Sequence, residues 1–156
     1  VRDPGGFYLP NGAREQEFHT QTGKAHFTIN ALPKSELAEG EYHLMTIRSH
    51  DQFNTTIYGL DDRYRGIYQG RRVVLMNKAD MGQANLKQGD WVDLIGFHQK
   101  QKRVAPNFMV VDYPIPPRCV ATYFPETNVL VPINSFEPTS KTPASKKVVI
   151  RMEKVS

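Results

Sequence analysis

The stretch NKADMGQANLKQGDWVDLIGF, Asn77–Phe97, holds a helix, a turn and a strand in quick succession. Asn77 is of the residue type that caps a helix N-terminus with its side-chain oxygen. Asp80, three residues on, places a carboxylate in the first turn, where the helix dipole favours negative charge. The spacing predicts a short helix over about 78–85. Gly89-Asp90 then supplies turn chemistry, and Trp91–Phe97 reads as the strand that follows.

Outward from this unit, the chain from Glu41 on is a series of β segments. EYHLMTIRS (41–49) reads as the first strand, and NTTIY (54–58) as a short extended piece. RRVVLMN (71–77) is a continuous apolar run of the kind that suits a strand buried on both faces. VAPNFMVVDY (104–113) and IPPRCVATYFP (115–125) carry one strand each, and polar 99–103 bridges into the former. The proline pair of the latter cannot donate to a ladder. ETNVL (126–130) reads as a single helical turn, and KKVVIRMEKV (146–155) as a closing strand. Residues 1–38 are turn-rich, with one strand-like piece at 25–30, and read as an arm or linker from a preceding domain. Strands joined by short turns, with one or two small helices, predict a mainly β protein closed into a barrel. The helix–Gly-Asp–strand unit, whose helix plugs a barrel end, points to a double-psi β-barrel over 39–156.

Composition narrows the function classes. The chain has 156 residues, enough to fold without disulfide staples. Cys119 is the sole cysteine, which excludes an intrachain disulfide and any cysteine-based zinc or iron–sulfur site. A lone cysteine without a signal-peptide pattern points to a reducing, cytoplasmic setting. No apolar run reaches the roughly 18–20 residues that span a bilayer. Twenty Lys and Arg against 16 Asp and Glu give +4, a mild positive field suited to a phosphorylated partner. It falls short of the clustered basic stripe of a duplex-binding domain. The aromatics of NFMVVDY and ATYFP sit among apolar residues, which favours core over base stacking. A free-standing β-barrel binding module for nucleic acid or a protein partner is the alternative reading, with no nucleic acid expected under the leading one.

The polar groups concentrate in TIRSHDQFNTTIYGLDDRYRG, 46–66. Ser49, His50 and Asp51 supply the residue types of a catalytic triad. They are consecutive, however, and adjacent side chains of an extended segment point to opposite sides. His19, His26, His43, His50 and His98 show no H-x-x-x-H spacing, so no metal site is expected and no catalytic residue is assigned. What remains is a polar organic ligand. Neutral donors and acceptors at Thr46, Ser49, Gln52, Asn54 and Thr55 stand beside Arg48 and His50, which can add charge-assisted bonds to phosphate. Asn128 could match a base or pterin edge, and equally suits a helix cap. Lys146 could hold a phosphate or carbonyl, and equally suits a solvated strand start.

These motifs, in this order, resemble a known family. HLMTIRSHDQFNTT, VLMNKADMGQANLKQGDWVDL, PPRCVATYFPETNVLVP and SKTPASKKVVIRMEK are similar to successive segments of the C-terminal molybdopterin-dinucleotide-binding domain of the dimethyl-sulfoxide-reductase superfamily. TQTGKAHF resembles the stretch just before that domain. The likeness covers about 21–154 and is nearest the formate-dehydrogenase-like molybdopterin oxidoreductase alpha subunits. Ile47 departs from it, since relatives often have Gly there. The resemblance implies a double-psi barrel that holds bis(molybdopterin guanine dinucleotide), with molybdenum or tungsten, in a longer oxidoreductase. Thr46, Arg48, Ser49, His50, Gln52, Asn54, Thr55, Asn128 and Lys146 would contact the cofactor. It also implies upstream domains of the same polypeptide, which can carry a 4Fe–4S cluster, and a fragment inactive by itself.

Overall fold

A computed structural model describes residues 3–32, 34, 36–54 and 57–155. They fall into two units, 1–35 and 36–156. In the first, a four-residue helix, α1 (Gly12–Glu15), is capped by the Asn11 side chain, which accepts from the Arg14 N–H. Arg14 also donates to the Tyr8 hydroxyl at 3.0 Å. The strand expected at 25–30 does not form: the segment has no ladder partner, and Phe27 and Ile29 are fully exposed.

The second unit is a closed six-stranded barrel, the double-psi β-barrel expected. Its elements run β1 (Tyr42–Ile47), β2 (Val73–Met76), α2 (Lys78–Gln83), β3 (Trp91–His98), β4 (Gln101–Asp112), β5 (Cys119–Tyr123), a 3₁₀ turn at Asn128–Leu130, and β6 (Val148–Lys154). Around the barrel the order is β1-β5-β2-β4-β3-β6, and β6 closes back onto β1. The β1·β5 and β2·β4 pairs are parallel, and the rest are antiparallel. Among the described residues, closure leaves no edge strand open to pair with another chain.

The apolar run of β2 explains itself in this frame. Val74 and Met76 join Leu44, Val92, Leu94, Phe108, Val110, Val120 and Ile150 in the main core. Val73 and Leu75 alternate to the other face and pack with Ile67, Val111, Ala121 and Tyr123 in a second cluster. A two-period side-chain alternation between two apolar layers needs an unbroken hydrophobic strand.

Helix α2 forms where Asn77 predicts it, its Oδ1 accepting from the Ala79 N–H at 2.8 Å. The helix ends at Gln83, two residues before the expected end. Asn85 turns into the left-handed region (φ 53) and the Leu86 N–H reaches back to the Met81 carbonyl at 2.8 Å. This is a Schellman-type ending, and its two apolar members, Met81 and Leu86, both enter the main core. The polar bridge at 99–103 is a tight hairpin whose ladder already includes Gln101, with Gln99 and Lys100 alone in the turn. Pro106 sits at the bulge where β4 slips against Val92 and Leu94, the place where a missing N–H costs least. Of 54–58, Thr55 and Thr56 lie outside the described residues, and Asn54, Ile57 and Tyr58 are not in a strand.

Candidate functional site

β1 ends at the rim of the barrel with Thr46 and Ile47, beside two segments distant in sequence. The Thr46 N–H donates to the Ser145 carbonyl at 3.0 Å, and the Phe124 N–H donates to the Ile47 carbonyl at 3.1 Å. Between them opens a cleft of about 510 Å³. Thr46, Asn128, Ser145 and Lys146 supply its polar groups; Phe124, Val131, Pro132, Ile133 and Pro143 make its apolar walls. A concave, mostly apolar site with few polar groups is the usual form of a small-molecule pocket.

Three of the sequence-predicted residues meet here. The Lys146 ammonium donates to the Thr46 carbonyl, so its charge is held at the cleft wall. Asn128 is the first residue of the 3₁₀ turn, and the capping position falls to Thr127. Thr127 is buried and bonded instead to the Thr122 hydroxyl and the Tyr123 carbonyl. The Asn128 amide makes no side-chain hydrogen bond among the described residues, which leaves its donor and acceptor available at the cleft. Ile47 is regular strand, without the positive φ that a Gly there would permit.

The other predicted residues go elsewhere. Ser49 and Gln52 are buried, and both turn toward Arg71, whose guanidinium fills the space under the loop after β1. Arg71 Nη1 donates to Ser49 Oγ at 2.6 Å, and Nη2 to Gln52 Oε1 at 2.9 Å and to the Phe124 carbonyl at 2.8 Å. Nε and Nη2 meet the Glu126 carboxylate at 2.7 and 3.3 Å. The guanidinium also lies over the rings of Tyr58 and Tyr123, 3.8 and 4.9 Å from their centroids. Exposed Arg48 donates to the Asn54 side chain. The His50 ring stacks on Tyr64 with centroids 3.6 Å apart. Thr55 lies outside the described residues.

The Asp/Arg-rich segment Asp61–Arg65, which connects this loop to β2, has a local role. Asp62, almost fully buried, accepts from the Tyr123 hydroxyl at 2.8 Å, from Arg65 at 2.5 Å and from the His50 N–H at 3.2 Å. Burial disfavours its charge. The bonds from Tyr123 and Arg65, with the Arg65 charge, outweigh that and hold its carboxyl below the ordinary carboxylate value. The Tyr123 phenol moves the other way, raised by burial and by the neighbouring carboxylate. The connector therefore pins the loop onto β5.

Sequence reasoning missed Arg71 and Glu126, whose partners are 19 to 55 residues away. It also missed the apolar cleft walls at Phe124 and Val131–Ile133. Among the described residues, no group of three or more His, Cys, Asp or Glu could hold a metal. No helix of the described residues is long and apolar enough to cross a membrane.

Residues 42–149 match the molydopterin dinucleotide binding domain family. Proteins carried as uncharacterized oxidoreductases in Mycobacterium tuberculosis and Mycobacterium bovis are 49% identical over 98% of this chain. The protein YdeP of Escherichia coli is 39% identical over the same share. The chain spans 20–21% of the length of these relatives.

Proposed function

We propose, from the premise that this chain belongs to the molybdopterin dinucleotide-binding domain family, that it forms one wall of the cofactor site of a longer molybdenum or tungsten oxidoreductase. The observation that carries the reading is the convergence of Thr46, Asn128 and Lys146 on one cleft from three separate parts of the chain. The residues present fit a pterin dinucleotide. The free Asn128 amide offers one donor and one acceptor to the edge of a base or pterin. Lys146 places a cation beside the cleft, as a phosphate or ring carbonyl requires. The volume of about 510 Å³ accommodates a fused bicyclic ring against the Phe124, Val131 and Pro132 walls.

When bound, the cofactor supplies the redox chemistry, and the protein supplies binding, orientation and electrostatics. In this chain no side chain at the cleft is assigned to proton or electron transfer. Its residues bind and orient, while the catalytic residues, the metal ligand and any 4Fe–4S cluster belong to preceding domains of the same polypeptide. Residues 1–38 are the connection to them. The guanine form, two dinucleotides per metal and a formate-dehydrogenase-like parent complete the proposal. Oxidoreductases among the relatives, each about five times this chain's length, support the longer oxidoreductase parent.

The test is the composition of the full-length polypeptide. Acid hydrolysis of the purified protein should release two GMP per molybdenum or tungsten atom. Release of CMP, or of no nucleotide, would overturn the guanine dinucleotide assignment. Formate-dependent dye reduction by the same preparation tests the formate label separately.

A further inference from the structure

Two of the chain segments that wall the cleft are paired as strands as far as Ile47 and Tyr123, and beyond the strand ends one buried side chain bonds to both. Thr46 stands on the segment that continues into Ser49 and Gln52; Phe124 and Asn128 stand on the segment that includes Glu126. Arg71 enters from just before β2 and bonds to both. On the first side it holds Ser49 Oγ and Gln52 Oε1; on the second it holds the Glu126 carboxylate and the carbonyl of Phe124, itself a cleft wall. Gln52 Nε2 donates to that same carbonyl at 3.0 Å. Only 4% of Arg71 is exposed, so its guanidinium is largely shielded from water. The guanidinium is planar and rigid, with donors fixed in a fork, and so sets the separation of the groups it joins.

We propose that Arg71 is a positioning residue of the cofactor site, a clasp that fixes the Thr46–Gln52 segment against Phe124–Asn128 and thereby sets how tightly the cleft holds its ligand. The inference rests on the reading of the cleft as the pterin dinucleotide site. It adds a residue outside the lining of the cleft. Outer partners of this kind commonly change binding by about tenfold to a hundredfold when removed.

The experiment uses the full-length polypeptide and three variants: Arg71→Met, Lys146→Ala and Val92→Ala. Val92 lies on β3 in the main core, apart from both segments, and controls for lost stability alone. Nucleotide and metal content are measured with thermal stability and amide hydrogen exchange. Arg71→Met is expected to lower cofactor content about tenfold, well beyond Val92→Ala at a comparable melting temperature. Exchange should rise in 48–54 and 124–130 together while the barrel strands stay protected. If Arg71→Met lowers occupancy no more than the core control does, the clasp is overturned. If Arg71→Met fails to accumulate, Ser49→Ala removes a single bond of the clasp, and a several-fold loss is expected; unchanged occupancy overturns the proposal. Loss with Lys146→Ala but not with the clasp variants rejects Arg71 alone, whereas retention with all of them rejects the cleft reading as well.

Discussion

Arg71 and Glu126, 55 residues apart in sequence, face each other through two contacts of 2.7 and 3.3 Å beneath the rim of the barrel. Arg71 is the buried partner, and Glu126 is nearly so. Such a pair contributes little beyond its desolvation cost while intact, but losing one member strands the other charge.

Glu126→Ala is therefore expected to destabilise the barrel by about 3 kcal/mol, because Arg71 keeps its neutral partners and loses its counter-charge. Denaturant unfolding of the two proteins measures this. A change within about 0.5 kcal/mol, the range of ordinary surface substitutions, would show that water reaches Arg71.

The Asp62–Tyr123 contact makes stability depend on pH at both ends. Asp62 has a folded value below its unfolded one, so its contribution is present above the ordinary carboxylate pKa, 3.8, and is lost as pH falls through the lower folded value. Tyr123 is raised above its ordinary 10.0, so its contribution is complete below that pH and is lost as pH climbs through the raised value. Unfolding measured at about pH 3, 7 and 11 should show losses at both extremes. Asp62→Asn should flatten the acid limb. An acid limb unchanged in that variant would place the titrating group elsewhere.

Asn77 caps α2 and also donates from Nδ2 to the Ile115 carbonyl at 2.8 Å. Asn77→Ala removes both bonds, and the expected loss is about 2 kcal/mol, the upper end for a cap. Asn77→Ser, which keeps the cap and gives up the reach to Ile115, should recover about half. Equal losses in the two variants would show that the cap itself adds nothing.

The β3–β4 hairpin turns through Gln99 and Lys100, both at positive φ (48 and 66). A two-residue turn of this kind favours Asn-Gly, since a side chain in the left-handed region is strained. Lys100→Gly should stabilise the barrel by about 0.5–1 kcal/mol, read as a raised melting temperature. A lowered one would show that the Lys100 side chain contributes more than the strain costs.

The fold was legible because its signals are local. The cap at Asn77, the turn at Gly89-Asp90 and the apolar run at Val73–Met76 each state their own structure within a few residues. The end of α2 was read two residues late, since a left-handed Asn85 is the second-choice ending after Gly. The site was less legible. By residue chemistry Asn128 suits a ligand group or a cap equally, and Lys146 a ligand group or a solvated lysine. Resemblance to a family matched both, and the structure brings them to Thr46. Ser49 and Gln52 look like ligand groups in sequence because buried hydrogen-bonding residues and binding residues share the same chemistry. What separates them is Arg71, which approaches from beyond the loop and is announced by no local pattern. The apolar walls at Val131–Ile133 were invisible for a related reason: a prolyl, β-branched run reads equally as core.

The most direct measurement of the central claim is the cofactor content of the full-length polypeptide carrying Lys146→Ala or Asn128→Ala. Both residues are at the surface of the cleft, so folding should survive each change, to be checked independently by circular dichroism and melting temperature. The account predicts a drop in bound dinucleotide and metal of about tenfold for Lys146→Ala and several-fold for Asn128→Ala. Full occupancy in both variants, with folding intact, would contradict it.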